Sequence, residues 1–419
     1  MLARFYARDK RTFLVTLTAI DESLRSLPLL EAKDVSTSPN MRSNYPLNEM
    51  KARLFINICA IFALVLSAAS IARAQVFSTS IVSAETGMAV QHGSSLIELD
   101  DGSLLVSWYA GGKEGARDSR ILVRHSAAGG ANWEPPQIAV NPGECAAESW
   151  FSNKTLGNTV LFQDKENIVW LFYAAVEFGG WSGAHVDYKI SRDRGRTWSE
   201  SHRLTDGLGD IPRSKPVELG PDEIFLPLSH SALSKYPSGA RLEIANGKIV
   251  RKMSFPIASS KCSHPAFVAF DPNRVLAFLR ARGGGKLQGT FFDPGKNGWS
   301  LPEATNLPNP DSAIDAVRLS DGRILLAYND DGTIRNPLSI AVSDDPDERG
   351  AERSSSAGSA FRKLRDVDNE LGQDFSYPSL VRARDGTFYL TYTWHYRSAI
   401  KCVHFDANWL GLNSIIAAR

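Results

Sequence analysis

The chain has 419 residues, of which 43% are hydrophobic and 22% charged, with a formal net charge of +1 at pH 7. That balance excludes long disorder, collagen-like sequence and a multi-span membrane protein. Lys+Arg 47 against Asp+Glu 46 leaves no basic excess, so no nucleic-acid partner is expected. With Gly 32 and Trp 9 but Met 5, the composition leans towards a turn-rich β protein.

In chain order, residues 1–49 are mixed and carry no sustained period. Residues 54–71, LFINICAIFALVLSAASI, are almost wholly apolar. Lys51 and Arg53 precede them, and Ala72-Arg73-Ala74 follows as a small-x-small cleavage site. This is the pattern of a secretory signal peptide over residues 50–74. Residues 1–49 are then expected to be a non-native extension ahead of the true start. The competing reading is a cytoplasmic tail with 54–71 as a membrane anchor. Either way the rest of the chain is expected outside the cytoplasm, periplasmic or extracellular, with no membrane span left after signal removal. Residues 75–419 hold Cys145, Cys262 and Cys402. Their wide spacing forms no zinc pattern or disulfide framework.

From there on, strand-like runs recur with turn signals between them. One class follows an Asp-Gly or a degenerate equivalent: DDGSLLVSWY (100–109), DKENIVWLFY (164–173), GPDEIFLPLS (220–229), DPNRVLAFLR (271–280), SDGRILLAYN (320–329) and RDGTFYLTYT (384–393). Their mean spacing is about 57 residues, so six units fill the segment and leave no room for a second domain. Each run is preceded by a strand such as HGSSLIEL or SYPSLVRA and followed by a third such as ILVRHS or IKCVHF. A fourth strand completes each unit at ordinary strand lengths. The predicted fold is all-β: a six-bladed β-propeller of four-stranded antiparallel blades.

Between third and fourth strands, residues 191–198 read SRDRGRTW, or S-x-D-x-G-x-T-W. Asp193 caps its own turn, Gly195 supplies a positive φ, and Trp198 packs on the hairpin. Degenerate copies are HSAAGGANW (125–133), FDPGKNGW (292–299) and SDDPDERG (343–350). This element resembles the Asp-box of the BNR-repeat, sialidase superfamily. The longer segments HGSSLIELDDGSLLVSWYAGGKEGARD, LPNPDSAIDAVRLSDGRILLAYND and SYPSLVRARDGTFYLTYTW resemble its bacterial branch. The resemblance covers about residues 76–406 and implies a propeller with a central pocket, the Asp-boxes lying on the opposite face.

In such a topology the ligand face carries the first-strand starts and the loops between second and third strands. The starts place His92, Asn158, Lys215, His264, Asp315 and Tyr377 in one ring near the axis. The loops add Lys113, Glu114, Asp118, Trp181, His230, Arg280, Arg282, Arg335, Trp394 and Arg397. Convergent guanidiniums suit a carboxylate, because they pair with it in a bidentate fork. By resemblance, Arg335 in NDDGTIRNPL is the third member of the sialidase arginine triad, and Arg280 or Arg282 in FLRARGG the second. The first normally lies in Arg-Ile-Pro, where this chain has His92-Gly93-Ser94. The resemblance further makes Tyr377 the nucleophile and Asp118 the acid/base, with Glu114 competing for the latter role. The family's activating Glu is replaced by Ser263-His264, so His264 is the candidate base. Asp315 and Lys215 are candidate sugar contacts, and Trp181 and Trp394 candidate stacking faces.

The expected function is a secreted exo-glycosidase acting on a terminal acidic sugar of a glycan. The alternatives are a lyase on a uronic acid, with His92 or His264 and Tyr377 as base and acid, and a non-catalytic glycan-binding propeller. No cofactor and no metal are expected.

Overall fold

The computed structural model describes residues 75–127, 129–149, 151–343 and 360–412. The signal-like segment and the extension before it lie outside the described residues, as does most of the degenerate copy at 343–350. Among the described residues no helix is long and apolar enough to cross a membrane.

The predicted six blades are present, each an antiparallel sheet. Blade 1 runs through Val90–Glu98, Leu104–Gly111, Arg120–Ser126 and Gln137–Val140. Blade 2 uses Thr155–Gln163, Val169–Val176, Ala184–Ser191 and His202–Arg203. In blade 3 the inner strand is broken into Asp210–Pro212 and Val217–Gly220, both pairing with Glu223–Ser231. The break falls between Pro212 and Pro216, which lack the N–H a continuous ladder needs. Blade 4 begins at Cys262–Asp271, blade 5 at Asp315–Arg318 and blade 6 at Ser376–Arg382. The outer strand of blade 6 does not follow in sequence. Phe77–Ile81 supplies it, pairing Phe77 with Phe405 and Ile81 with Lys401. The two ends of the propeller thus share one sheet, and this closes the ring.

A single blade cannot bury both its faces, and the packing reflects that. Apolar clusters fill the spaces between neighbours: Leu105, Ile121, Leu171 and Tyr173 between blades 1 and 2, and Phe225, Phe255, Phe267 and Phe292 between blades 3 and 4. Full burial of such side chains stabilises by about 1.5–3 kcal/mol each. Trp299 of the FDPGKNGW turn seals the second cluster, stacked on Phe225 at 5.5 Å.

The Asp193 turn forms as expected. Its carboxylate accepts from Thr197 N–H at 2.8 Å, Thr197 Oγ1 at 2.6 Å and Ser191 Oγ at 2.7 Å. Burial opposes the charged form, but these bonds outweigh it and hold Asp193 down to about 2. Gly195 has φ +85, and a Cβ there would meet Leu105 at 2.8 Å. The turn lies beside the first hairpin turn of blade 1, where Arg194 holds Asp100 through two 2.7 Å contacts. First hairpin turns and third-to-fourth-strand turns share the face opposite the first-strand starts. Cys145, Cys262 and Cys402 are free thiols. Burial pushes Cys402 up to about 12.

Candidate functional site

The inner strands do not run straight to the axis. Four of them break register at their first residues: between His92 and Ser95, Gly157 and Thr159, Ser263 and Pro265, and Ser376 and Ser379. At each break one residue takes a positive φ: Gly93 at 65°, Asn158 at 26°, His264 at 43° and Tyr377 at 56°. A bulge of this kind re-aims a side chain, and holding a non-glycine residue there costs of order 1–3 kcal/mol. The strained positions surround a cavity of about 330 Å³ at the axis.

All six blades contribute to its wall. His92 and Glu114 come from blade 1, and Asn158 and Trp181 from blade 2. Ser231 comes from blade 3, and His264, Arg280 and Arg282 from blade 4. Asp311 and Arg335 belong to the approach and loop of blade 5, and Tyr377 and Arg397 to blade 6. Trp181 reaches the wall only because residue 157 is glycine; a Cβ there would lie 2.4 Å from the indole.

Tyr377 stands at the centre. The His92 ring meets it edge-on with centroids 4.4 Å apart, and the His264 ring lies at 5.9 Å. The Arg213 guanidinium sits over the phenol ring at 4.8 Å, and Arg280 is within hydrogen-bonding contact of Tyr377. Arg280 also donates to Asp311 at 2.6 Å, while Arg335 donates to the Asp311 carbonyl at 2.8 Å. Arg397 is ion-paired with Glu114. Burial holds Tyr109, behind this pair, well above the ordinary phenol value, with the Glu114 charge adding to it.

Both histidines are held neutral. Burial is the largest cause for each, reinforced for His92 by Arg397 and for His264 by Arg280. The tautomer of His264 follows from its partner. Arg280 Nη1 lies 3.1 Å from His264 Nδ1. A guanidinium only donates, so Nδ1 accepts and the proton resides on Nε2. His92 Nδ1 lies 2.8 Å from Thr393 Oγ1, which already accepts the Gly93 N–H at 3.2 Å. That hydroxyl has a second lone pair as well as its hydrogen, so it pairs with His92 Nδ1 in either tautomer. The cavity is therefore lined chiefly by donors.

The expected site residues divide into two groups. His92, His264, Tyr377, Arg280, Arg282, Arg335 and Trp181 converge on the cavity. Asp118, Lys215, Asp315 and Trp394 do not line it. Asp118 is exposed and accepts the Gly112 N–H at 2.9 Å within its own loop, so Glu114 is the carboxylate that this loop presents to the cavity. Lys215 and Asp315 pair at 2.5 Å in the channel beneath, with Ser379 Oγ at 3.2 Å from Lys215 and the Leu380 N–H at 2.7 Å from Asp315. Trp394 packs into the core between blades 5 and 6, with Lys401 Nζ 5.1 Å from its ring. His264 was expected to act as a base. In this geometry its Nδ1 is occupied by Arg280 and its Nε2 carries hydrogen, so it presents a donor.

Arg213 was missed by sequence reasoning, which put Lys215 at the blade 3 position of the ring. The two prolines that break the inner strand are the signal that displaces the register by two. Arg213 is buried, donates to the carbonyls of Pro378 at 2.7 Å and Ser94 at 3.3 Å, and thereby ties blade 3 to blades 6 and 1 under Tyr377. Among the described residues no group of three or more His, Cys, Asp or Glu side chains is arranged to hold a metal ion.

Comparison with known proteins gives a consistent fold. The family described as a BNR repeat-like domain matches residues 102–390. No curated protein matches the chain. Among solved structures, the chain is similar to the intramolecular trans-sialidase from Ruminococcus gnavus, complexed with oseltamivir carboxylate. That likeness has TM-score 0.64 and 12% identity, covering 79% of this chain and 97% of the other. It is similar to the NanB sialidase from Streptococcus pneumoniae at TM-score 0.63 and 11% identity, covering 78% and 70%. It is also similar to an α-L-arabinanase from Penicillium chrysogenum, complexed with arabinobiose, at TM-score 0.57 and 10% identity, covering 80% and 99%. At these identities the likeness establishes the sialidase-like propeller fold.

Proposed function

The chain belongs to the BNR repeat-like domain family, and from that premise we propose that it is a sialidase-like glycoside hydrolase that removes a terminal acidic sugar from a glycan. The observation that carries this reading is the cavity itself: Arg280, Arg335 and Tyr377 meet in a donor-lined space at the propeller axis. A donor-rich wall favours an anionic ligand, and a guanidinium fork matches a carboxylate. The structural neighbours that are sialidases, and the one that is an arabinanase, support glycan chemistry on this scaffold. The signal-like segment 50–74 supports action outside the cytoplasm.

In this reading the Tyr377 oxygen attacks the anomeric carbon and the glycosidic C–O bond breaks. Arg280 and Arg213 offset negative charge on the phenol oxygen as it attacks. The phenolic proton leaves to pocket water, because His264 presents an N–H there. The leaving oxygen takes a proton from a carboxyl group of the first-blade loop. Asp118 is the candidate by resemblance; Glu114 is the candidate by position, once it has left its ion pair with Arg397 and taken up a proton. Water then reverses the sequence and frees the sugar.

Arg335→Ala tests the charge preference. It should weaken acidic ligands by about 1.5–3 kcal/mol, the scale of a charge-assisted hydrogen bond, and neutral sugars far less. Equal loss for both, measured by titration calorimetry, would contradict the reading. A second reading, elimination from a uronic acid, is favoured by one observation: Tyr377 lies between two neutral imidazoles. It differs in its product, which carries a double bond and gains no water.

A further inference from the structure

In blade 6 the turn between Phe388–Trp394 and Ala399–Phe405 has an unusual backbone. His395, Tyr396 and Arg397 follow one another at φ 54°, 53° and 69°, the left-handed region that favours glycine. Three bulky residues in a row there persist only where surrounding bonds hold them, and such strain gathers at functional sites. Here the bonds are present. Gln91 of blade 1 donates its N–H to the Arg397 carbonyl at 2.7 Å and its Nε2 to the Ser398 carbonyl at 3.1 Å. Ser398 donates twice to the His395 carbonyl, from its N–H at 3.1 Å and its Oγ at 2.7 Å. The Tyr396 hydroxyl donates to the Gly372 carbonyl. This turn delivers the Arg397 side chain to the cavity wall.

What Arg397 meets there is a carboxylate of the protein itself. Glu114, from the first-blade loop, is ion-paired with it, and the Tyr109 hydroxyl is in hydrogen-bonding contact with Glu114. The pair is not sealed: the Glu114 side chain is 35% exposed and that of Arg397 37%. An ion pair open to water to that degree contributes little net stability and exchanges readily. Glu114 also lies between Gly112 and Gly115. Gly115 takes φ 74° with open space around it, so the loop can turn Glu114 aside without a clash.

We propose that Glu114 stands in for the acid group of the substrate in the empty site, and that the carboxylate of the bound sugar takes its place on Arg397. This rests on the acidic-sugar reading above and adds Arg397 as a specificity-determining contact. The incoming carboxylate wins the exchange on charge. The ion pair gives Glu114 one guanidinium, whereas a carboxylate in the cavity meets Arg335 as well. The two guanidiniums are near enough to one another that both depress the His92 ring. Arg335 donates to the Asp311 carbonyl from one nitrogen, and its other N–H groups can turn to a ligand. A neutral sugar has nothing to set against the ion pair and leaves it closed. The exchange also parts Glu114 from its cation while Tyr109 keeps it at the wall. Arrival of an acidic sugar thus frees the carboxyl group that the reading assigns to the leaving oxygen.

The test is titration calorimetry of the full chain with N-acetylneuraminic acid and D-glucuronic acid, each beside its methyl ester, which keeps the sugar and removes the charge. Glu114→Gln should tighten binding of the acid by about threefold or more, the scale of an exposed ion pair that no longer competes. It should leave the ester unchanged. Arg397→Gln should weaken the acid at least about tenfold, the scale of a lost charge-assisted hydrogen bond, with Arg397→Lys keeping part of the affinity. Asp118→Asn removes a charge from the same loop but outside the cavity, and should change neither ligand. If Glu114 serves only to hold Arg397 in place, Glu114→Gln will weaken the acid instead. That result would overturn the exchange and leave the acidic-sugar reading standing. So would acid binding indifferent to Arg397→Gln, equal tightening of acid and ester, or an equal gain from Asp118→Asn. Esters bound as tightly as acids by the parent, or no binding of either acid by the parent and by Glu114→Gln, would overturn both.

Discussion

Arg213 is buried beneath Tyr377, and its hydrogen bonds go to two carbonyl oxygens. Burial works against its charge, which the Asp315 charge only partly offsets. A cation in that position is best explained by the ring it covers. Arg213→Met should destabilise the fold by about 1–3 kcal/mol, the scale of carbonyls left without charged donors. It should also lower turnover about tenfold, the scale of a desolvated cation–π contact, with Arg213→Lys restoring part of it. Unchanged turnover in the Met variant would remove Arg213 from the chemistry. The two histidines give a pH dependence of definite sign. Each has a folded-state value well below the ordinary 6.5, with burial as the main cause. The unfolded chain therefore takes up protons first as pH falls. This stabilisation is full above about pH 6.5 and is lost as pH drops through that value towards the folded one. Between pH 7 and 5.5 both histidines therefore cost the fold stability as the unfolded chain takes up protons. Asn tolerates positive φ, so His264→Asn fits the 43° position. Urea unfolding of that variant should show a correspondingly smaller loss over this range; an identical loss would contradict the account.

At the level of elements, Phe77–Ile81 completes a blade whose other strands lie more than 290 residues later. Ser80 Oγ donates to the Gly130 carbonyl at 2.8 Å and accepts from Trp133 Nε1 at 2.9 Å, which also ties the strand to the outer turn of blade 1. A chain starting at residue 82 should lose on the order of 5 kcal/mol, taking about 1 kcal/mol for each paired residue of the lost strand. A melting temperature unchanged by the deletion would show that the ring closes without it. Most elements were legible because their signals are local. The Asp-Gly turns in SDGRILLAYN and RDGTFYLTYT and the Asp193 box each specify a hairpin through nearby residues. The closing strand carries no such signal, since its partner is set by ring closure alone. Trp394 was misplaced for a related reason: a one-residue change in register moves a side chain from the cavity to the blade interface.

Across the whole molecule, the repeat spacing was enough to place six strand starts around one axis, and it identified the loops that reach the cavity. It did not determine which side chains enter. That choice is made by the bulges at Gly93, Asn158, His264 and Tyr377 and by the prolines around Arg213. These devices brought Arg213 under Tyr377 and left Lys215 paired with Asp315 below the cavity floor. Likewise the loop that carries both Glu114 and Asp118 turns only the first towards the axis. The most direct measurement of the central claim is a product screen by mass spectrometry. The full protein and its Tyr377→Phe variant are incubated with sialosides, uronides and neutral oligosaccharides. The account predicts that the parent releases an acidic terminal sugar with the gain of one water, and that Tyr377→Phe lowers this release by orders of magnitude. Release of neutral sugars alone, or equal release by parent and variant, would contradict it.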